Sequence, residues 1–445
     1  MRQVLRGLAI GMFAALSVHA AEPRFTVEQL QQDMRFIRQS IDEIHPDPAF
    51  SIPPGQLDAA LEAAGRQLSA PMSRDEAWRV LGKLNPLFAD AHFALVQPDW
   101  RAQGAAHLAS GGVLFPFEVQ ASADGSLFVR ASLGGGASPL AGKQVDSIDG
   151  VPAARLVQEL LQFVHGDTPQ HRAEVLSRRW WFYYWKLHGA PRSYAVSHDG
   201  KPVDVAGSSA RPEALVGSNE ADFDQVYRFE LLGKRAALMT LGQFEWPDKP
   251  KFLAFTAAAF ARMREAGVTT LLIDVRENPG GDDDMWKDGV LPYIATRPYR
   301  HTSTYIKKVI PGRGSETERV GDIIRGSHEN WDQPQAGNPL HFGGRVIVLV
   351  GGMTYSSAVL FSNVIQDFKF GQLAGTARYV RTRQSGGIQV RTLPNTGLNL
   401  VVPRMILERP AGRGAPAMLQ PDIALPDDPF NRRALIDALL QRTGG

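Results

Sequence analysis

Residues 345–358 read RVIVLVGGMTYSSA, and the fold turns on them. Arg345 to Val350 is a short run apolar enough to be buried on both faces, as strands of a parallel sheet are. Gly351-Gly352 breaks the run, and Ser356-Ser357-Ala358 opens a stretch of helical character. A second run of the same kind, Thr269 to Val275, ends in Arg276-Glu277-Asn278-Pro279-Gly280-Gly281. Before it, Ala236 to Leu241 reads as a strand and Phe252 to Glu265 as a helix. Strands alternating with helices predict an α/β layer with a mainly parallel sheet, placed over residues 208–445.

Upstream the pattern differs. Thr26 with Gln29 forms a capping box, and Val27, Leu30, Met34, Ile37, Ile41 and Ile44 then fall on one helix face. His45-Pro46 ends that helix. A second helix is expected over Gln56–Leu68 and a third from Ser73, boxed by Glu76, to about Leu84, so residues 22–90 read as a helical domain. From residue 91 to 207, short alternating runs such as Ser126 to Arg130, broken by glycines, predict a β-rich domain. Gln144 to Gly150 reads as a strand closing in a turn, and Pro152 opens a helix to about Phe163. The aromatic run Trp180 to Trp185 reads as buried surface rather than a peptide groove. No repeat or low-complexity tract interrupts the chain.

Residues 1–20 have the shape of a secretory leader: Arg2 and Arg6, an apolar run from Leu8 to Val18, then Val18-His19-Ala20 as a cleavage site. The apolar run is shorter than the roughly 20 residues of a spanning helix, so the expectation is cleavage near Ala20 and export, to a bacterial periplasm, with no membrane anchor afterwards. The 445 residues carry 48 Lys plus Arg against 46 Asp plus Glu; without Arg2 and Arg6 the two counts are equal. A neutral chain gives no compositional case for nucleic acid. Cysteine is absent, which excludes disulfides and cysteine nucleophiles.

Chemistry concentrates at the two strand-to-turn-to-helix joints. Gly280-Gly281 lets backbone N–H groups face a cleft, as an oxyanion hole needs, or is a plain turn beside an Asp274–Arg276 ion pair. Ser356 at a helix N-terminus is either a hydroxyl placed for attack or simply the helix N-cap. Asp282-Asp283-Asp284 is read as capping and charging a helix start rather than binding a cation. No zinc signature and no phosphate loop occurs.

Asn278-Pro279-Gly280-Gly281 after an apolar strand, then Val-Leu-Val, a Gly-Gly turn and Thr354-x-Ser356 before an apolar helix, resembles the tail-specific (C-terminal processing) and tricorn-core serine peptidases. Leu393 to Leu398, Gln420-Pro421-Asp422-Ile423, Gln144 to Gly150, His45-Pro46 and Asp90-Ala91-His92 resemble further segments of that family. The resemblance spans about residues 26–430. It implies a crotonase/ClpP-like α/β core, a middle PDZ-like β domain, a peptide or protein substrate, and no cofactor or metal. It makes Ser356 the nucleophile and the N–H groups of Gly280 and Ser357 the oxyanion donors. One branch of the family takes its base from a lysine downstream of the serine. Here only Lys369 follows Ser356, too close to fit, and position 381 holds Arg381, whose guanidinium stays protonated. The tricorn-like branch uses the histidine of an Asp-x-His element, which implies His92 as general base.

Two departures from that branch stand out. Alanine occupies the place of its orienting glutamate in Gly414 to Asp422, leaving Glu408 as the candidate orienting acid, and Ala91 replaces the serine before the histidine. The loop Thr376 to Gln384 also differs. These departures motivate an alternative, a non-catalytic peptide-binding relative acting as an adaptor; a small-ester hydrolase is a third, without the elbow spacing to support it.

Overall fold

The computed structural model describes residues 23–443 apart from 216–221, 336, 377–378 and 413; the leader expected at 1–20 lies outside the described residues. Helix α1 (Val27–Ile44) starts at the Thr26/Gln29 capping box and stops at His45, which leaves helical geometry. α2 (Gln56–Gln67) and α3 (Arg74–Leu81) follow, the latter capped by Ser73 with Glu76 and continued by a tighter turn to Leu84. Strand β1 (Ala94–Val96) comes next, then the hairpin of β2 (Phe117–Ala121) and β3 (Leu127–Ser132), α4 (Ala153–Leu161), the long α5 (Pro169–His188) and the hairpin of β4 (Ser193–His198) and β5 (Lys201–Ala206).

The boundary read at residue 90 does not divide the packing. Leu30, Ile37 and Ile41 of α1, Trp78 of α3, Val119 and Val129 of the first hairpin, and Trp180 and Trp181 of α5 belong to one hydrophobic core. The run Trp180 to Tyr184 is buried throughout, and α5 is apolar over that length because neighbours surround it. Gly104 is required there: a Cβ at that position would stand 2.8 Å from the Trp181 ring.

The second half is built on a six-stranded sheet. β6 (Tyr227–Leu232) pairs antiparallel with β7 (Ala236–Leu241), followed by α6 (Lys249–Glu265), β8 (Thr270–Asp274) and α7 (Asp283–Gly289). A second, smaller sheet begins with β9 (Thr304–Lys308) and β10 (Ile323–Ser327). The chain returns to the main sheet with β11 (Arg345–Val350), α8 (Ser357–Asp367) and β12 (Gln372–Gly375). β13 (Gln384–Gly386), β14 (Gln389–Thr392), β15 (Asn399–Val402) and β16 (Met405–Leu407) lie outside it, and β17 (Ile423–Ala424) and α9 (Arg433–Thr443) close the chain. The main sheet has the order β6-β7-β8-β11-β12-β17, parallel from β7 onward. Alternate residues serve its two faces: Leu271, Ile273, Val346 and Val348 pack towards Phe260 of α6 and Phe361 of α8, whereas Leu272, Ile347 and Leu349 meet Leu435 and Leu439 of α9. This is an α/β core preceded by a helical region, as the sequence pattern predicts.

Two connections bring distant parts of the chain to one end of the sheet. β15 pairs with β1, so the strand just after His92 is stitched to the C-terminal region. The loops after β8 and β11 both leave the carboxyl ends of neighbouring parallel strands, where such sheets gather their ligands.

Burial also leaves a pH signature. Desolvation lowers His45 to about 4, and burial is likewise the main cause lowering His165 to about 3 and His171 to about 4. In the unfolded chain the same imidazoles protonate near 6.5. The unfolded state therefore takes up protons first, so stability is full above pH 6.5 and is lost as pH falls from there towards 4. The expected result is a melting temperature that drops steadily between pH 7 and pH 4.5; a flat profile over that interval would contradict the burial of these rings.

Candidate active site

At the end of β11 the chain turns through Gly351 to Tyr355 and enters α8. Thr354 Oγ1 donates to the Val275 carbonyl (2.8 Å) and accepts from Gly351 N (2.9 Å), pinning this corner to the end of β8. Ser356 sits at the corner with φ 52° and ψ −123°, and its side chain makes no capping bond. Ser356 holds the N-cap position of α8, but its hydroxyl does not cap the helix. A non-glycine residue in that region carries strain of order 1–3 kcal/mol, of the kind found at functional sites. Gly280, at φ +108°, permits the geometry: a Cβ there would lie 2.6 Å from Ser356 Cβ and 3.0 Å from Ser357 N.

His92 comes from a turn before β1, and its Nε2 stands 3.1 Å from Ser356 Oγ. Its Nδ1 is 3.0 Å from Ser385 Oγ, in the middle of β13, and Ser385 Oγ donates to Asp90 Oδ1 at 2.9 Å. The direction of these bonds assigns the tautomer. Because the Ser385 proton goes to Asp90, its oxygen accepts from Nδ1–H, leaving the Nε2 lone pair for the Ser356 hydroxyl. Asp90 Oδ1 also accepts from His92 N (2.8 Å), which fixes the backbone of the Asp-x-His element.

Beneath this row lies a second carboxylate. The Tyr355 hydroxyl stands between Asp167 Oδ1 (2.9 Å) and Asp90 Oδ1 (3.2 Å). Asp167 in turn accepts from Ala91 N (3.3 Å) and Arg381 N (2.9 Å). Burial is the main cause raising the Asp90 carboxyl above the usual carboxylate range, with the Asp167 charge adding to it. Desolvation lowers His92 below 6.5, opposed by the charges of Asp90 and Asp167. The imidazole is thus held neutral, the form able to accept a proton.

Of the two expected oxyanion donors, Ser357 N–H, the first of α8, has no acceptor among the described residues. Gly280 N–H is engaged: it donates to Asn278 Oδ1 at 2.8 Å, because an asparagine side chain reaches the backbone two residues on. The Ser357 hydroxyl is turned away, donating to Asp283 Oδ1 (2.5 Å) and accepting from Trp286 Nε1 (2.9 Å). The other acids of that run behave as read: Asp282 caps α7.

Glu408 is elsewhere. Its carboxylate lies 3.2 Å from Arg383 Nε, and the partner of His92 Nδ1 is Ser385, so the orienting role expected of Glu408 is corrected to the Ser385–Asp90 pair. The cause is register: Ser385 is the residue of β13 that faces Ile406 of β16, and Glu408 lies beyond the end of β16. Lys369 is exposed past the far end of α8, about 17 Å of helix from Ser356. His45 is structural, accepting from Asp47 N and tilted against Phe93. Arg276 pairs with both oxygens of Asp274 and with Asp427, the structural ion pair that was the second reading of that joint. Among the described residues no three His, Asp or Glu side chains gather as metal ligands, and no helix is long and apolar enough to cross a membrane.

Sequence reading missed Ser385, Tyr355 and Asp167. Only Asp167 had a local signal: Thr168-Pro169 is a helix start, and Thr168 does cap α5.

Residues 236–425 match peptidase family S41. A solved structure of a serine-to-alanine mutant of CPAF is similar with a TM-score of 0.64 at 13% identity, covering 92% of this chain and 95% of that one. The structure of mature CPAF complexed with lactacystin gives 0.65 at 14% identity, covering 94% and 97%. At these identities the likeness is one of fold. No curated protein sequence matches the chain.

The strain at Ser356 has a measurable consequence. Glycine adopts positive φ without a steric penalty and alanine does not. Ser356→Gly is therefore expected to be more stable to urea than Ser356→Ala, by about 1 kcal/mol. The opposite order would show that the corner carries no strain.

Proposed function

We propose that the chain is a serine protease, an exported endopeptidase whose acyl-enzyme forms on Ser356, a reading supported by the match of residues 236–425 to peptidase family S41. The observation that supports this most is the 3.1 Å contact between Ser356 Oγ and a neutral His92 Nε2, across 264 positions of sequence.

In the proposed reaction the Ser356 oxygen attacks the scissile carbonyl while His92 Nε2 takes its proton. The imidazolium that forms is stabilised through Ser385 by Asp90, which orients the ring in the resting state. The developing oxyanion is received by Ser357 N–H at the N-terminus of α8, where the helix dipole favours negative charge. Gly280 N–H joins it by exchanging its Asn278 acceptor for the substrate oxygen. His92 then returns the proton to the leaving amine, and water, activated by the same imidazole, releases the acyl group.

A serine-directed fluorophosphonate is expected to label the wild-type protein and not Ser356→Ala. Labelling that persists in the variant would remove Ser356 from the mechanism, and a wild type that binds peptide without being labelled would favour the adaptor reading.

The base and its support are read from peptide turnover. His92→Ala is expected to lower kcat/KM by about 10³ or more, Ser385→Ala by about 10², and Lys369→Ala hardly at all. Because desolvation lowers His92, kcat/KM falls on the acid side with a midpoint below pH 6.5. Asp90 opposes that lowering, so Asp90→Asn should move the midpoint lower still while slowing turnover. A midpoint unmoved by Asp90→Asn would mean that the carboxylate does not act through the imidazole.

A further inference from the structure

Tyr355 is the covalent neighbour of Ser356, and it touches every residue of the Asp90-Ala91-His92 element. Its hydroxyl lies 3.2 Å from Asp90 Oδ1, its oxygen accepts from Ala91 N at 3.2 Å, and its ring packs tilted on the His92 imidazole with centroids 4.8 Å apart. His171 of α5 packs on the same ring at 4.9 Å. The backbone of Tyr355 is held as well, since its N–H donates to the Asn278 carbonyl at 3.0 Å. One buried side chain thus joins the corner that carries the serine to the turn that carries the histidine.

The phenol has its own anchor. A phenol carries one proton, and here it is presented to two carboxylate oxygens, of which Asp167 Oδ1 at 2.9 Å is the nearer. Asp167 is itself fixed, being the residue before the Thr168 cap of α5 and accepting from Arg381 N at 2.9 Å. Asp90 is held less evenly. The donors that reach it among the described residues, His92 N, Ser385 Oγ and the Tyr355 hydroxyl, converge on Oδ1, and its buried Oδ2 has no partner there. The rotation of this carboxylate, on which the Ser385–His92 row rests, is therefore set through a single oxygen, and Tyr355 supplies the donor from the nucleophile's side.

We infer that Tyr355 is a positioning residue: anchored by Asp167, it braces the Asp90-Ala91-His92 element against the serine corner and so sets the gap between Ser356 Oγ and His92 Nε2. The inference rests on the reading of Ser356 and His92 as nucleophile and base. Attack and proton transfer tolerate little misplacement, and a shift of about 1 Å can cost on the order of 10²-fold in rate. The hydroxyl and the ring make separate contributions. Phenylalanine at this position would keep the packing on His92 and His171 but lose the contacts with Asp90, Ala91 and Asp167.

The test compares full-length wild type with Tyr355→Phe in peptide turnover and in the imidazole nitrogen shifts of His92, read by NMR on histidine-labelled protein. Tyr355→Phe is expected to lower kcat by about 10- to 100-fold while KM stays within about twofold, the pattern of a group that acts on the transition state rather than on substrate binding. The His92 ring is expected to be protonated on Nδ1 in the wild type and to become a mixture of tautomers in the variant, which loss of packing alone would not produce. Asp167→Asn leaves the phenol in place and weakens its anchor, so a smaller loss in the same direction is expected; this variant decides the matter should Tyr355→Phe not fold. Wild-type kcat and wild-type nitrogen shifts in either variant, or a raised KM at unchanged kcat, would overturn the brace. The two readings fail separately: an active wild type whose Tyr355→Phe variant is equally active retires the brace alone. A wild type that neither reacts with fluorophosphonate nor cleaves peptide retires the peptidase mechanism, and the nitrogen shifts still decide whether Tyr355 holds His92.

Discussion

Everything at this site depends on how closely two backbone corners approach one another. Gly280 is pressed so near Ser356 that a single added carbon would stand 2.6 Å from the serine Cβ. That contact, with Thr354 bridging Val275 and Gly351, holds Ser356 at positive φ and lifts its hydroxyl out of the capping position that serine ordinarily takes. The strain is sustained because both corners end strands in the middle of a parallel sheet, covered on each face by helices. A surface turn would relax; this one is set between β8 and β11.

Helix α5 is the platform under the corners. Thr168, just before its first turn, follows Asp167, which supports Tyr355 and the Asp90–His92 element. One turn on, Glu174 lies so close to Gly352 that a Cβ there would stand 2.4 Å from its Cγ. A turn later Arg178 pairs with Glu277, three residues before Gly280. The same helix therefore supports both loops along one polar stripe while its aromatic residues fill the upstream core. The helical and β-rich segments share one core, and that core holds the part of the chain that carries His92 rigid with respect to the part that carries Ser356.

What the sequence revealed divides along physical lines. Ala236–Leu241 and Arg345–Val350 were legible to the residue because strands buried on both faces are written as unbroken apolar runs. α1 was legible because its capping box and one-sided apolar stripe are local properties. Ser356 and His92 were legible as residue types in recognisable surroundings, though nothing local required them to meet. Ser385 was not legible at all. A serine in a short strand rich in Gly and Gln has no periodic or compositional mark, and its role exists only because β13 pairs with β16 in one register. Glu408 was the opposite case: a chemically apt residue in the expected part of the chain, displaced from the imidazole because it falls past the end of that pairing.

Replacing a direct carboxylate by a hydroxyl and a deeper acid changes the electrostatics in a definite way. A carboxylate touching Nδ1 raises the imidazole pKa strongly, whereas here burial outweighs the charges of Asp90 and Asp167 and the net direction is downward. The resting histidine then stays neutral to lower pH. The cost is that imidazolium, once formed, is stabilised at one remove. The short row of bonds through Ser385 compensates in part, since each polarised hydrogen bond strengthens the next in a site screened from water. Asp167 and Tyr355 complete the logic. Two carboxylates flank one buried phenol; burial raises Asp90, and the Asp167 charge adds to it. Asp167 accepts from the backbone N–H groups of Ala91 and Arg381 and lies 3.6 Å from the Arg381 guanidinium. His92 is therefore oriented through Ser385 and Asp90, while burial keeps the net shift of its imidazole downward.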